Sequence, residues 1–343
     1  MITKIIAEQE IQKAKKYVGY ADKIVIVSHI SPDGDAIGSS LGLYHFLLEM
    51  GKRVNVIVPN DFPAFLRWMP GAGDILLYDK QPELAAETIA EAELIFCLDF
   101  NIPKRIGAMG ALVEAAAGKK VMIDHHLDPG QFCNVTMSYP QISSTSEMVF
   151  RFICRMGYFE SLTLSSAECI YVGMMTDTGA FTYNSNSPEI YAIIGELLRK
   201  GINKDAIYAK VYNTQSLSRI RLVGYCMSEK LKIYPEYHTA LIVLSKAESR
   251  KFDLRKGDTE GLVNIPLGVE GIVFSVFIRE DDDLIKISLR STGTFPANKF
   301  AAENFNGGGH LNASGGEYYG RLEDAVAIFE QALPKYFDSE KER

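Results

Sequence analysis

The chain has no CxxC pair. Its five cysteines, Cys97, Cys133, Cys154, Cys169 and Cys226, are odd in number and lie mostly in apolar runs. That excludes a disulfide framework and leaves reduced core residues of a cytoplasmic protein as the expectation. No stretch approaches the ~18 consecutive apolar residues of a membrane span. The opening MITKIIAEQEIQKAKKY lacks the continuous apolar segment of a signal peptide. Positive charge is not in excess either: the net charge is −7. This excludes broad binding to long duplex nucleic acid, which wants a basic face. A small anionic substrate held by local cations or metals stays open. There is no internal repeat and no low-complexity linker.

What is present is ordinary globular material, 343 residues with 47% hydrophobic and 23% charged side chains. That length suits two domains. The first half alternates β-rich runs with helical periodicity. KIVIVSH (23–29), RVNVIVP (53–59), ELIFCLD (93–99) and KKVMID (119–124) are predicted strands. AIGSSLGLYHFLLEMG is a helix ended by Gly51, and an Ala-rich helix after Pro103 ends near Gly118. Strand–helix alternation predicts an α/β fold, a doubly wound parallel sheet. After Tyr139 the pattern is helical, including SSTSEMVFRFICRMG and the nearly all-apolar LTLSSAECIYVGMMTDTG. From about Leu231 strands return, with IVFSVFIRE and LIKISLRS forming a hairpin over an acidic turn at 281–283. The expected organisation is a catalytic domain over 1–190, a helical linker over 191–228, and a smaller mixed α/β domain over 229–343, with a cleft between the domains.

His29, Asp99 and Asp124 all stand at the carboxyl ends of predicted strands, where an open parallel sheet places its ligand crevice. Asp33 and Asp35 follow His29 closely, His125 and His126 follow Asp124, and Asp177 ends the apolar helix. Any one of these has a plain explanation. A strand-end Asp caps a helix, and PDG is a turn. Together they are five carboxylates and three imidazoles converging on one crevice. Such a set would repel itself and push its pKa values upward unless cations were bound. Mixed carboxylate and imidazole donors without cysteine suit Mn²⁺, then Mg²⁺, Co²⁺ or Zn²⁺. The number of donors suits two ions ~3.5–4 Å apart sharing a carboxylate.

SHISPDGDAIGS, LDF, IDHH and TDTGAF together resemble the four motifs of the DHH phosphoesterases. That superfamily includes RecJ exonucleases, family II pyrophosphatases, exopolyphosphatases and nanoRNase/pAp phosphatases. The resemblance implies one ion on His29, Asp33 and Asp99, and another on Asp35, Asp99, His125 and Asp177, with Asp99 bridging. It implies that Asp124 orients the imidazoles and that His126 faces the scissile phosphate.

GGGHLNASGG (307–316) reads as a flexible loop or, between a strand and a helix, as a phosphate nest from Gly307, Gly308 and Gly309 with His310 as an added donor. Arg290 in SLRS sits at a strand end and can fork onto a phosphate. SLRS with GGGH resembles the DHH-associated C-terminal domain. The Lys/Arg-rich motif of family II pyrophosphatases is absent, and RecJ enzymes are longer. The chain therefore resembles the nanoRNase/pAp phosphatase group. The implied activity is two-metal hydroxide attack on short oligoribonucleotides or 3′-phosphoadenosine 5′-phosphate, without a membrane or long duplex partner, and a homodimer is the expected assembly. Competing expectations are a polyphosphate or pyrophosphate hydrolase, a c-di-AMP or pApA phosphodiesterase, and a nucleotide sensor without turnover. SSTSE (143–147) is either a helix start alone or a helix start that also holds phosphate.

Overall fold

Short runs of Val, Ile and Leu bounded by Gly, Pro and Asp become the strands of two sheets. A computed structural model describes residues 5–254 and 257–338. The chain divides into units of residues 1–214 and 215–343. The first contains α1 (Glu8–Tyr20), β1 (Lys23–Val27), α2 (Gly34–Glu49), β2 (Arg53–Val58), β3 (Leu76–Leu77), α3 (Pro82–Ala90) and β4 (Leu94–Leu98). It continues with α4 (Met109–Ala115), β5 (Lys119–Asp124), β6 (Val135–Ser138), α5 (Thr145–Arg155), α6 (Leu164–Asp177), α7 (Pro188–Arg199) and α8 (Lys204–Tyr212).

All strands of this unit are parallel, in the order β3-β2-β1-β4-β5-β6. Both faces are covered, so the central strands β1 and β4 run apolar through Ile24–Val27 and Leu94–Leu98. Ile24 and Ile26 of β1 pack into a core shared with α1, α2, α5 and α6. Val25 and Val27 pack on the opposite face with α3 and α4. Strand order reverses between β1 and β4, which makes their carboxyl ends the switch point of the sheet. The doubly wound expectation therefore holds. The sequence reading passed over α1, β3, α3 and β6.

One packing detail sets the site. Gly34, Gly38 and Gly42 recur every four residues along one side of α2. A Cβ on Gly38 would lie 2.7 Å from the Cys169 carbonyl oxygen and 2.7 Å from the Gly173 nitrogen. The two helix backbones thus touch, which draws the start of α2 close to the end of α6.

The second unit contains α9 (Leu217–Tyr225), β7 (Leu231–Tyr234), β8 (Thr239–Leu244), α10 (Lys246–Arg250), β9 (Phe274–Glu280) and β10 (Ile285–Ser291). It ends with α11 (Ala297–Asn304), β11 (Gly308–His310), β12 (Ala313–Tyr318) and α12 (Leu322–Asp338). Its mixed sheet runs β11-β12-β10-β9-β8-β7, with β8 and β9 parallel and the other pairs antiparallel. The β9–β10 hairpin forms as expected. Phe274, Val276 and Ile278 face a core built with α11 and α12, while Phe277 turns to the other face.

The glycine segment departs from expectation. It follows a helix and precedes a strand, and Gly308–His310 is itself an edge strand paired with β12. The glycines have a packing reason: a Cβ on Gly307 would lie 2.2 Å from the Gly315 carbonyl oxygen, and one on Gly309 2.6 Å from that of Ala313. Among the described residues, no helix is long and apolar enough to cross a membrane. All five cysteines are free thiols.

Candidate metal centre

Each expected ligand leaves an element that ends at the switch point. His29 lies just beyond β1. Its Nδ1 donates to the Ile30 carbonyl at 2.9 Å, which turns Nε2 toward Asp99 Oδ2 at 3.3 Å and Asp33 Oδ1 at 3.9 Å. Asp33 caps α2, accepting from the nitrogens of Asp35 and Ala36 at 3.0 Å each. The plain explanation of Asp33 is therefore true and compatible with a second duty.

Asp99 directly follows β4 with φ +63, a left-handed backbone that costs a non-glycine residue of order 1–3 kcal/mol. This turn aims its carboxylate between the two imidazoles. His125, one residue past β5, donates from Nδ1 to the Ile142 carbonyl at 3.2 Å. Its Nε2 lies 3.6 Å from Asp99 Oδ1, 3.5 Å from Asp177 Oδ2 and 3.9 Å from Asp35 Oδ2. Asp99 thus offers one oxygen to His29 and the other to His125. His29, Asp33 and Asp99 form one compact donor set, and Asp35, His125 and Asp177 another.

Asp124 Oδ1 accepts from His126 Nδ1 at 2.7 Å, placing His126 Nε2 on the other side of its ring. Asp124 thus orients His126, while backbone carbonyls orient the other two imidazoles. Asp124 Oδ2 is buried and has no hydrogen-bond partner among the described residues.

The site is strained electrostatically without cations. Burial opposes charge on His29, yet Asp99 and Asp33 outweigh it and raise its pKa to about 9. Burial likewise works against His125, and Asp99, Asp35 and Asp124 raise it. Asp35 is pushed well above the carboxylate range by burial and then by the charges of Asp99 and Asp177. Burial alone would raise Asp99 too, but its hydrogen bond to His29 and the charges of His126, His29 and His125 hold it far down. Protons thus collect where divalent cations would sit. The donor set, carboxylates and imidazoles in two adjoining groups, fits two such ions.

Sequence reasoning missed what supports this set. The nitrogens of Thr145 and Ser146 donate to Asp35 Oδ2 and Oδ1 at 2.6 and 2.8 Å. Thr145 Oγ1 donates to Asp99 Oδ1 at 2.9 Å. The start of α5 therefore holds a carboxylate of the protein. Behind it, Ser144 caps the helix, and Glu147 accepts from Ser143 Oγ at 2.5 Å and from Arg151 Nε at 2.9 Å, all buried. Gly173 leaves the room: a Cβ there would fall 1.8 Å from Ser146 Oγ and 2.8 Å from Asp35 Oδ1. The signals in the sequence were the S-S-T-S-E capping pattern and the four-residue glycine spacing.

Arg290, Gly307, Gly308, Gly309 and His310 all lie in the second unit. Arg290, next to last in β10, lies opposite Ala313, which pairs in turn with His310. The strand register therefore brings Arg290 and His310 to one sheet face.

Residues 23–174 match the DHH family, N-terminal domain, and residues 238–335 match the DHHA1 domain. The chain is 31% identical to the bifunctional oligoribonuclease and PAP phosphatase NrnA of Thermus thermophilus, over 85% of this chain and 83% of that protein. It is 29% identical to the NrnA of Bacillus subtilis over 87% and 90%. An exopolyphosphatase-related protein from Bacteroides fragilis has the same fold, with 63% identity, 99% of each chain covered and a TM-score of 0.94. With its motifs, its two domains and these relatives in agreement, the chain belongs to the DHH phosphoesterases, in the NrnA group.

Proposed function

We propose that the protein hydrolyses phosphoester bonds of short oligoribonucleotides and of 3′-phosphoadenosine 5′-phosphate. The carrying observation is Asp99, whose two oxygens face His29 and His125 separately at 3.3 and 3.6 Å. In this reading His29, Asp33 and Asp99 hold one cation, and Asp35, Asp99, His125 and Asp177 hold the second, with Mn²⁺ the preferred metal. When bound, such ions lower the pKa of water toward neutrality and neutralise phosphoryl charge. The chain's own residues do the rest. Thr145 and Ser146 fix the carboxylates. Asp124 fixes His126 so that its outward nitrogen can donate to a phosphoryl oxygen or pass a proton to the leaving oxygen. Arg290, His310 and the backbone of Gly307–Gly309 take another part of the substrate. The same reading has the enzyme act in the reducing cytoplasm, as a homodimer, and spare long duplexes.

A Mn²⁺-dependent assay tests it, with 5′-phosphorylated di- to pentaribonucleotides, a 24-mer, pAp and polyphosphate in parallel. The expected result is mononucleotides from the short oligomers, phosphate from pAp, and slow turnover of the rest. Polyphosphate as sole substrate would overturn the substrate class and leave the metal site. Tight binding with no cleavage would replace the enzyme by a sensor. Asp99→Asn should abolish hydrolysis and weaken Mn²⁺ binding in calorimetry while circular dichroism is unchanged. An active variant would remove the bridging role.

A further inference from the structure

The second unit has a cavity rich in cations, of which the assignments above use Arg290 alone. It measures about 120 Å³, and its lining includes Phe277, Arg279, Lys286, Ser288, Arg290 and one carboxylate, Glu260. Its floor follows from strand register. Ile285, Ile287 and Leu289 of β10 point into the helix-covered core, so Lys286, Ser288 and Arg290 point the other way. Pairing puts Phe277 and Arg279 beside Ser288 and Lys286 on β9, and Gly315 beside Ser288 on β12. Gly308 and His310 on β11 lie opposite Gly315 and Ala313. One face therefore carries His310 and Arg290 at one end, small residues in the middle, and Lys286 with Arg279 at the other.

The charges at that far end are unequally satisfied. Arg279 is held by Asp281, Nε to Oδ1 at 2.6 Å and Nη2 to Oδ2 at 2.8 Å, and by Thr259. Glu317, across the sheet from Lys286, accepts from the Tyr319 hydroxyl at 3.0 Å. Lys286 forms no ion pair or hydrogen bond among the described residues. Desolvation of its ammonium and the nearby Arg279 lower its pKa against the pull of Asp281, Glu260 and Glu317, while the residue as a whole is exposed and open to a ligand. Ser288 adds a hydroxyl midway. Four residues of strand separate Lys286 from Arg290, about 13 Å. That spacing suits two separate phosphates better than one.

We propose that Lys286, with Ser288 and Arg279, forms a second phosphate subsite that takes a backbone phosphate of an oligoribonucleotide beyond the phosphate held at Arg290 and His310. The proposal rests on the reading of Arg290 and His310 as substrate residues. It makes Lys286 a residue that favours oligomers over mononucleotide substrates.

The test compares pAp with the 5′-phosphorylated triribonucleotide of adenosine, using wild type, Lys286→Gln, Lys286→Arg and Arg290→Ala of the full chain with Mn²⁺. Lys286→Gln should raise KM for the triribonucleotide about five- to tenfold at constant kcat, the effect of one charged contact. For pAp the change should stay under about twofold. Lys286→Arg should restore the triribonucleotide KM. The slope of log kcat/KM against log salt for the triribonucleotide should fall by about 0.7 in Lys286→Gln, one lost contact to a single strand. If Lys286→Gln leaves both substrates and the slope unchanged, or weakens both equally, the second subsite is overturned. If Arg290→Ala leaves both substrates unchanged, the reading beneath it has failed instead.

Discussion

At Asp99 two demands meet in one carboxylate. Its oxygens must face two imidazoles, and its backbone must turn into the left-handed region to let them. Thr145 holds that carboxylate through a buried 2.9 Å hydrogen bond. Thr145→Val should weaken Mn²⁺ binding about tenfold in calorimetry, the worth of one hydrogen bond to a charged group, and Thr145→Ser should restore it. His29 gives a pH prediction. Its pKa is about 9 in the fold against 6.5 when free of it. The stability it contributes to metal-free protein is therefore complete below pH 6.5 and is lost as pH rises through 9. In EDTA the Tm should fall across that window. Saturating Mn²⁺ should flatten the fall, and Mn²⁺ uptake should release protons, seen as buffer-dependent heats.

At the scale of elements, the α2–α6 contact decides whether Asp35 and Asp177 can meet. Gly38→Ala places a methyl 2.7 Å from two backbone atoms of α6. The expected cost is about 1–3 kcal/mol in urea unfolding, with a matching loss of one bound Mn²⁺ per chain in metal analysis. An unchanged metal count would mean that the contact serves stability alone. Much of this level was readable in advance. The short apolar runs within 23–27, 94–98 and 119–124, bounded by polar residues, read as buried strands, and the polar residues closing them then stand at the sheet's edge. The start of α5 was not readable, because Thr145 meets Asp35 across 110 positions and a capping signal does not say whom the helix end faces. Nor was β11: three glycines look alike whether they free a loop or let two strands approach, and only the backbone of β12 distinguishes the two.

At the scale of the whole molecule, each unit has its own core, and every donor in the two cation sets lies in the first. The chain has a single tryptophan, Trp68, in that same unit. Trp68 fluorescence should therefore follow the unit that holds metal, while far-ultraviolet circular dichroism follows both. Chelation should lower the Tm seen by Trp68 more than the Tm of the dichroism transition. Equal shifts would mean that the two units unfold as one.

The parallel sheet closes over a continuous first stretch of chain, and its last cation donor is Asp177. On the ribosome, the pocket for the ions is therefore finished while the second unit is still being translated, a lead on the order of ten seconds. A nascent chain halted after residue 214 should already retain manganese. The newborn chain would then take up its metal before its second unit exists.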